Sequence, residues 1–270
     1  MNNDLNRFFA ELWQDYLQLA PQVNIIQTTL RQHCPDLVND HVAFRTFDIP
    51  AMDIARLEQH LISLDYKLLD NYQFPDKHLT ACAYIHSDPS RAKIFLSQLH
   101  IDQLSEKSQT IIHQQLSTLT SLPSDSRIFY CGRRWELPSW EEYLYLRQES
   151  EYAAWLLVLG FHANHFTLNI NAFNSASDRQ LDWPELIKLM ASIHIAMNPE
   201  GGIIKGSPEV LLEQASTLAD EIHIDFDQGS KTIKSCFYEF AKRFNQADGK
   251  EYQGFVAANA NKIFSSTNSD

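Results

Sequence analysis

Apolar residues recur along this chain with two periods, and the switches between the periods outline its elements. Leu5, Phe8, Phe9, Leu12, Trp13, Tyr16 and Leu17 fall at helical spacing over residues 4–19, and Pro21 ends the run. A second amphipathic stretch covers 23–31 before a turn at Pro35-Asp36. Residues 41–48 then read as a strand stopped by Pro50, and Ile54, Leu57, Leu61 and Leu64 mark a helix over 52–64. Strand patterns follow at 66–72, 79–86 and 92–99, the last two separated by the Asp88-Pro89-Ser90 turn. The order over 39–100 is therefore βαβββ.

Residues 102–158 read as a helical insertion, with one stripe at Ile111, Ile112 and Leu116 and a longer helix carrying Tyr143, Leu146, Ala153, Leu156 and Leu157. Ser139 is its expected N-cap, with Glu142 as capping-box partner, and Gly160 breaks it. A second cycle over 161–243 starts with a strand at 162–173 and a helix at 184–197. Strands at 202–205, 221–226 and 235–241 follow, interrupted by a helix at 208–219. A closing helix at 255–263 and a frayed polar tail at 265–270 complete the expectation. No linker separates the halves, so residues 1–270 read as one α+β domain. Two βαβββ-like modules would form a curved sheet or incomplete barrel, with N-terminal helices and the helical insertion beside it.

Composition narrows the function classes. The formal charge of −12 and the lack of a basic run argue against nucleic-acid or anionic-membrane partners. No stretch reaches eighteen apolar residues, and Met1-Asn2-Asn3-Asp4 lacks the basic and apolar regions of a signal peptide. Cys34, Cys82, Cys131 and Cys236 are scattered, as reduced thiols of a cytoplasmic protein would be. Oligomeric state is not legible. Hydrolase and dehydrogenase fingerprints are missing: there is no Gly-x-Ser-x-Gly elbow, no His-Glu-x-x-His and no Rossmann pattern.

Strand parity selects the candidate chemistry. In 161–172, His165, Thr167, Asn169 and Asn171 share one face and Phe166, Leu168 and Ile170 the other, so His162 points away from His165. Along 41–47, His41, Ala43, Arg45 and Phe47 share a face, placing His41 and Arg45 roughly 13 Å apart at the backbone. Glu239 interrupts an apolar strand, and a buried carboxylate must be paired, coordinated or protonated. Two His and one carboxylate on one concave sheet are the ligand set of a non-haem Fe(II) oxygenase. Each residue also has a plainer reading. His165 could belong to an ordinary polar face, Arg45 could pair with Asp40 or Asp48, and Glu239 could pair with Lys234, Lys242 or Arg243. Lys205, in the glycine-rich 201–207 stretch, could reach a substrate carboxylate, and His78 and His223 are weaker candidates for the pocket.

Asn39-Asp40-His41-Val42-Ala43-Phe44-Arg45-Thr46-Phe47, Asn164-His165-Phe166-Thr167 and Phe237-Tyr238-Glu239-Phe240-Ala241 resemble the signatures of the 2-oxoadipate dioxygenase/decarboxylase family, also called hydroxyglutarate synthase. Phe74-Pro75-Asp76-Lys77-His78-Leu79 and Lys93-Ile94-Phe95-Leu96-Ser97 extend the resemblance over about residues 39–264. It implies a vicinal oxygen chelate fold, with His41, His165 and Glu239 binding Fe(II) and Arg45 holding a substrate carboxylate as a catalytic and substrate-binding residue. The implied reaction takes 2-oxoadipate and O2 to 2-hydroxyglutarate and carbon dioxide in lysine breakdown. Two alternatives stay open: a lyase, isomerase or hydrolase of the same superfamily using Zn(II), Mn(II) or Ni(II), and a non-catalytic small-acid binding protein.

Overall fold

The computed structural model describes residues 2–267, and an eight-stranded sheet runs through its centre. Helices α1 (Asn2–Leu19) and α2 (Gln22–Arg31) precede a first cycle of β1 (Asn39–Phe47), α3 (Ile54–Ser63), β2 (Tyr66–Phe74), β3 (Leu79–His86) and β4 (Lys93–Leu99). The insertion supplies α4 (Glu106–Leu116), α5 (Trp140–Glu149) and α6 (Glu151–Leu159). The second cycle opens with β5 (Ala163–Asn169), α7 (Ile170–Ala176), α8 (Trp183–Ser192), β6 (Lys205–Ser207) and β7 (Leu212–Ser216). It continues with β8 (Glu221–Phe226), β9 (Gly229–Lys234) and β10 (Phe237–Arg243), and α9 (Ala257–Ile263) follows.

The strand order is β2-β3-β4-β1-β5-β10-β7-β6. In each half the first strand pairs in parallel with the last, β1 with β4 and β5 with β10, and the halves meet where β1 and β5 run antiparallel. Outward from that seam, β1-β4-β3-β2 and β5-β10-β7-β6 have the same layout. Two βαβββ modules thus share one sheet, which curls into a half-barrel.

Its convex face carries the aromatic core. Trp13 of α1 meets Phe166 edge-on at 4.8 Å, the Tyr16 hydroxyl donates to the Phe237 carbonyl, and Gln27 of α2 donates to the Tyr238 hydroxyl at 2.8 Å. Alternation along β5 and β10 then leaves His165, Thr167 and Glu239 for the concave face. The Ser139–Glu142 capping box starts α5 as expected. Gly160 ends α6 at φ +82°, where a Cβ would lie 2.4 Å from the Arg133 backbone, so only glycine fits.

Five expectations are corrected. The longer helix expected between Ser139 and Gly160 is two, divided at Ser150, whose backbone is extended and whose hydroxyl accepts from the Ala153 N–H to start α6. The 162–173 strand stops at Asn169, whose side chain accepts from the Ala172 N–H at 2.9 Å and starts α7 instead. The 208–219 helix is a short 3-10 turn at Pro208–Val210 followed by β7. Leu, Glu, Gln and Ala favour helix in isolation, but pairing with β10 buries Leu212, Gln214 and Ser216. The 221–226 strand leaves the main sheet and forms a separate hairpin with β9, which the periodicity did not reveal. The expected frayed tail is ordered where it is described: Ser266 and Thr267 are buried in a 3-10 turn over Phe264–Thr267, while residues 268–270 lie outside the described residues.

Candidate metal centre

Strand register assembles the site. Across the seam His41 lies opposite Thr167 and Ala43 opposite His165, while Glu239 of β10 lies opposite Thr167 from the other side. His41, Thr167 and Glu239 therefore form one row of the sheet, and His165 sits in the next. The Nε2 of His41 is 3.4 Å from Glu239 Oε1, and the Nε2 of His165 is 3.5 Å from Glu239 Oε2. One donor atom from each residue lies within 4.8 Å of the other two, and all three side chains are buried.

The residue before each histidine is part of the same construction. Register shifts interrupt the seam at Asp40 and at Asn164. Such irregularities suspend strict alternation, so neighbours in sequence can face the same side. Asp40 Oδ1 lies 2.8 Å from His41 Nδ1, and Asn164 Oδ1 lies 3.1 Å from His165 Nδ1. Burial alone would raise the Asp40 carboxyl, but the charges of Arg243 and Lys93 outweigh it and hold the group well below the usual carboxylate range. An ionised Asp40 can only accept, so His41 donates from Nδ1 and turns Nε2 into the cup. Thr167 Oγ1 meets that nitrogen at 3.1 Å.

Electrostatics favour a cation at the centre. Burial, with the nearby His41 and Arg45, pushes His165 well below its ordinary value, so it is a neutral imidazole. Burial raises the Glu239 carboxyl, against the opposing pull of His41 and of the Gln214 hydrogen bond. Gln214 donates to Glu239 Oε1 at 2.7 Å and is itself oriented by Asn259 of α9 at 3.1 Å. Glu239 Oε2 is buried without a hydrogen-bond partner. Two imidazole nitrogens and an orphaned carboxylate oxygen converging on one point fit a divalent metal ion, and among the described residues no Lys or Arg fills that role. Glu239 pairs with none of Lys234, Lys242 and Arg243; Arg243 instead forks onto Asp40.

The cavity over this set has a volume of about 30 Å³. Phe95, Phe255, Ala260, Ile263 and Phe264 form its apolar wall, so the stretch 255–264 covers the cup. Phe237 stacks on the His165 ring at 4.5 Å, and Phe255 meets His41 edge-on at 4.8 Å. Arg45 lines the same cavity, as the parity of β1 requires. Its Nη1 lies 3.2 Å from Glu151 Oε2, its Nη2 donates to Thr267 Oγ1 at 2.9 Å, and Nε has no partner. The rings of Tyr152 and Trp155 stand 4.9 Å from the guanidinium. Neither Asp40 nor Asp48 pairs with it.

Other candidates lie elsewhere. Lys205 does not line the cavity; its buried ammonium donates to the Asn198 carbonyl at 2.7 Å, and burial lowers it to about 8. His78 lines a neighbouring cavity, and His223 sits on the β8–β9 hairpin beside Thr232. Sequence reasoning overlooked Asp40, Asn164, Gln214, Glu151 and Arg243 as parts of the site. One signal was available: an Asx residue precedes the histidine in both halves.

A half-barrel of two such modules with a His-His-Glu set at its seam is consistent with a vicinal oxygen chelate-like fold. The profile of the 2-oxoadipate dioxygenase/decarboxylase family matches residues 4–132 and 128–251. A chloroplastic 2-oxoadipate dioxygenase/decarboxylase of Arabidopsis thaliana is 32% identical over 261 residues, covering 86% of this chain and 68% of the relative. Its counterpart from Oryza sativa subsp. japonica, chloroplastic/amyloplastic, is 31% identical, covering 94% and 76%. Among solved structures, Oryza sativa hydroxyglutarate synthase in complex with 2-oxoadipate superposes with TM-score 0.84 at 29% identity, covering 97% of this chain and 91% of that one. A candidate hydrolase from Shewanella frigidimarina superposes with TM-score 0.85 at 38% identity, covering 94% and 98%. The chain belongs to the 2-oxoadipate dioxygenase/decarboxylase family, and it is an enzyme.

Proposed function

We propose that this enzyme is an Fe(II)-dependent dioxygenase that decarboxylates a 2-oxo dicarboxylic acid, 2-oxoadipate first, to 2-hydroxyglutarate and carbon dioxide. The balance is complete: one O2 enters, the C1 carboxylate leaves as carbon dioxide with its own two oxygens, and both atoms of O2 stay in the hydroxy acid, one in the new carboxylate and one in the hydroxyl group. The observation that carries the reading is that a buried His-His-Glu set and a buried arginine share one cavity.

His41, His165 and Glu239 would hold the metal, which when bound supplies oxygen activation and a Lewis-acid anchor for the 2-oxo acid. Every other contribution comes from the chain. Asp40 and Asn164 fix the two imidazole planes through Nδ1, and Gln214 fixes the carboxylate, so the three donors are aimed before a ligand arrives. Arg45 would take the distal carboxylate and set the distance between that end and the reacting end. Phe95, Phe255 and Phe264 keep bulk water from the reacting atoms.

Oxygen consumption by Fe(II)-reconstituted protein with 2-oxoadipate, beside a His41→Ala control, tests the reading. Uptake matched by carbon dioxide and 2-hydroxyglutarate, and lost in the control, is the expected result. Anaerobic turnover, or none with the metal site loaded, would overturn it.

A further inference from the structure

A second cavity, with a volume of about 170 Å³, adjoins the metal cup. Arg45 and Phe264 line both spaces and form the partition between them; Asp76, Lys77, Glu151 and Tyr152 belong to the outer one. The charges on the partition are unevenly satisfied. The Arg45 side chain is 1% exposed and, among the described residues, its only carboxylate partner is Glu151, whose side chain is 18% exposed on the outer side. Both Glu151 oxygens lean on Nη1, at 3.2 and 3.4 Å, longer than the usual 2.7–2.9 Å or so of a charge-assisted bond. One of the two N–H groups on Nη2 goes to Thr267. A carboxylate arriving in a fork therefore finds Nε and the second Nη2 N–H, on a guanidinium whose Nη1 already carries Glu151.

Lys77 faces the same outer cavity. Its ammonium makes no ion pair or hydrogen bond among the described residues and lies 5.9 Å from the Phe264 ring. Burial, and then the charge of Arg45, lowers it, while Glu151 pulls the other way. Glu149, also in this cavity, is held by the Ser105 and Ser108 hydroxyls.

We propose that Glu151 is a resident carboxylate that neutralises Arg45 in the substrate-free enzyme and transfers to Lys77 when a substrate's distal carboxylate takes the guanidinium. A buried arginine without a counter-ion is costly, which accounts for Glu151 beside Arg45. Two anions on one guanidinium repel, which accounts for its departure. Glu151 is thus a positioning and specificity-determining residue, because only an acid with a second carboxylate can release it. A monocarboxylic 2-oxo acid leaves Glu151 on Arg45. This inference rests on the proposed role of Arg45.

Calorimetric binding of 2-oxoadipate and of 2-oxohexanoate to the Fe(II)-loaded full chain without oxygen tests it. Glu151→Gln should tighten 2-oxoadipate about fivefold, the worth of a partly exposed ion pair, and leave 2-oxohexanoate unchanged. Glu151→Asp, which withdraws the charge from Arg45, should move the diacid the same way. Lys77→Met should weaken the diacid several-fold alone, but not when Glu151 is already Gln. Weaker or unchanged diacid binding in Glu151→Gln, or a Lys77→Met loss that persists beside it, would overturn the exchange. Failure of the underlying reading has its own signature: wild-type protein would not discriminate the two acids, and Arg45→Lys would bind both as wild type does.

Discussion

Arg243 forks onto Asp40, with Nε 2.6 Å from Oδ2 and Nη2 2.8 Å from Oδ1, and the same Oδ1 receives the Nδ1–H of His41. This contact joins the last strand of the second module to the first strand of the first. It also sets the aim of a candidate metal ligand, so stability and metal affinity depend on one carboxylate. Asp40→Asn leaves Arg243 buried without a counter-ion and should cost about 3–5 kcal/mol. Metal affinity should fall about 10–100-fold, as for lost partners of ligating histidines. Thermal denaturation and metal titration would read the two effects. Pairing Asp40→Asn with Arg243→Met should recover stability but not metal affinity.

Glu239 has opposite effects on the metal-free and metal-loaded protein. Its orphaned Oε2 is a cost in the absence of a cation, because burial disfavours the charged form. Glu239→Gln removes that charge and supplies an N–H toward the histidine nitrogens. The metal-free variant should melt a few degrees higher, on the order of 1–2 kcal/mol. It should fail to retain metal through desalting. A variant that loads iron fully would remove Glu239 from the ligand set.

Arg45→Lys should separate substrate binding from metal binding. Iron content should match wild type, since Arg45 touches none of the three candidate ligands. The KM for 2-oxoadipate should rise about 10–100-fold, because a point charge replaces a fork worth about 1.5–3 kcal/mol. Metal analysis and steady-state kinetics on one preparation check both halves.

Lys205 ties stability to pH. Its folded value of about 8 lies below the ordinary 10.5, so between those limits the unfolded chain holds a proton there that the folded chain does not. That contribution to stability rises with pH across the window, and the full cost is present below pH 8 or so. Lys205→Met should therefore exceed wild type in stability by most near pH 7. Its advantage should shrink as pH rises from 8 to 10.5 or so, where the native amine is neutral in both states. Chemical denaturation of both proteins across that range gives the difference curve.

Much of this molecule was legible from local pattern. The first βαβββ cycle, both N-terminal helices, the Ser139 capping box and the break at Gly160 follow from periodicity and capping chemistry, which act within a few residues. Parity alone put His41 with Arg45 on one face and turned His165 away from His162, whose ring faces Asp15 of α1. The 212–216 segment was read as helix because its residues favour helix, and only its ladder with β10 makes it a strand.

The sequence by itself determined that His41 shares a face with Arg45 and that His165 points away from His162, together with the first βαβββ cycle that carries His41 and Arg45. It also carried the family signature. The tertiary structure alone decided that β1 and β5 meet in a register that puts His41 beside Glu239, and that irregularities at Asp40 and Asn164 turn both residues toward the histidines. It also decided that Arg45 pairs with Glu151 and Arg243 with Asp40. Those pairings join residues 106 and 203 positions apart. Alternation carries no information at that range, because which buried charges must satisfy one another is settled only when the sheet closes.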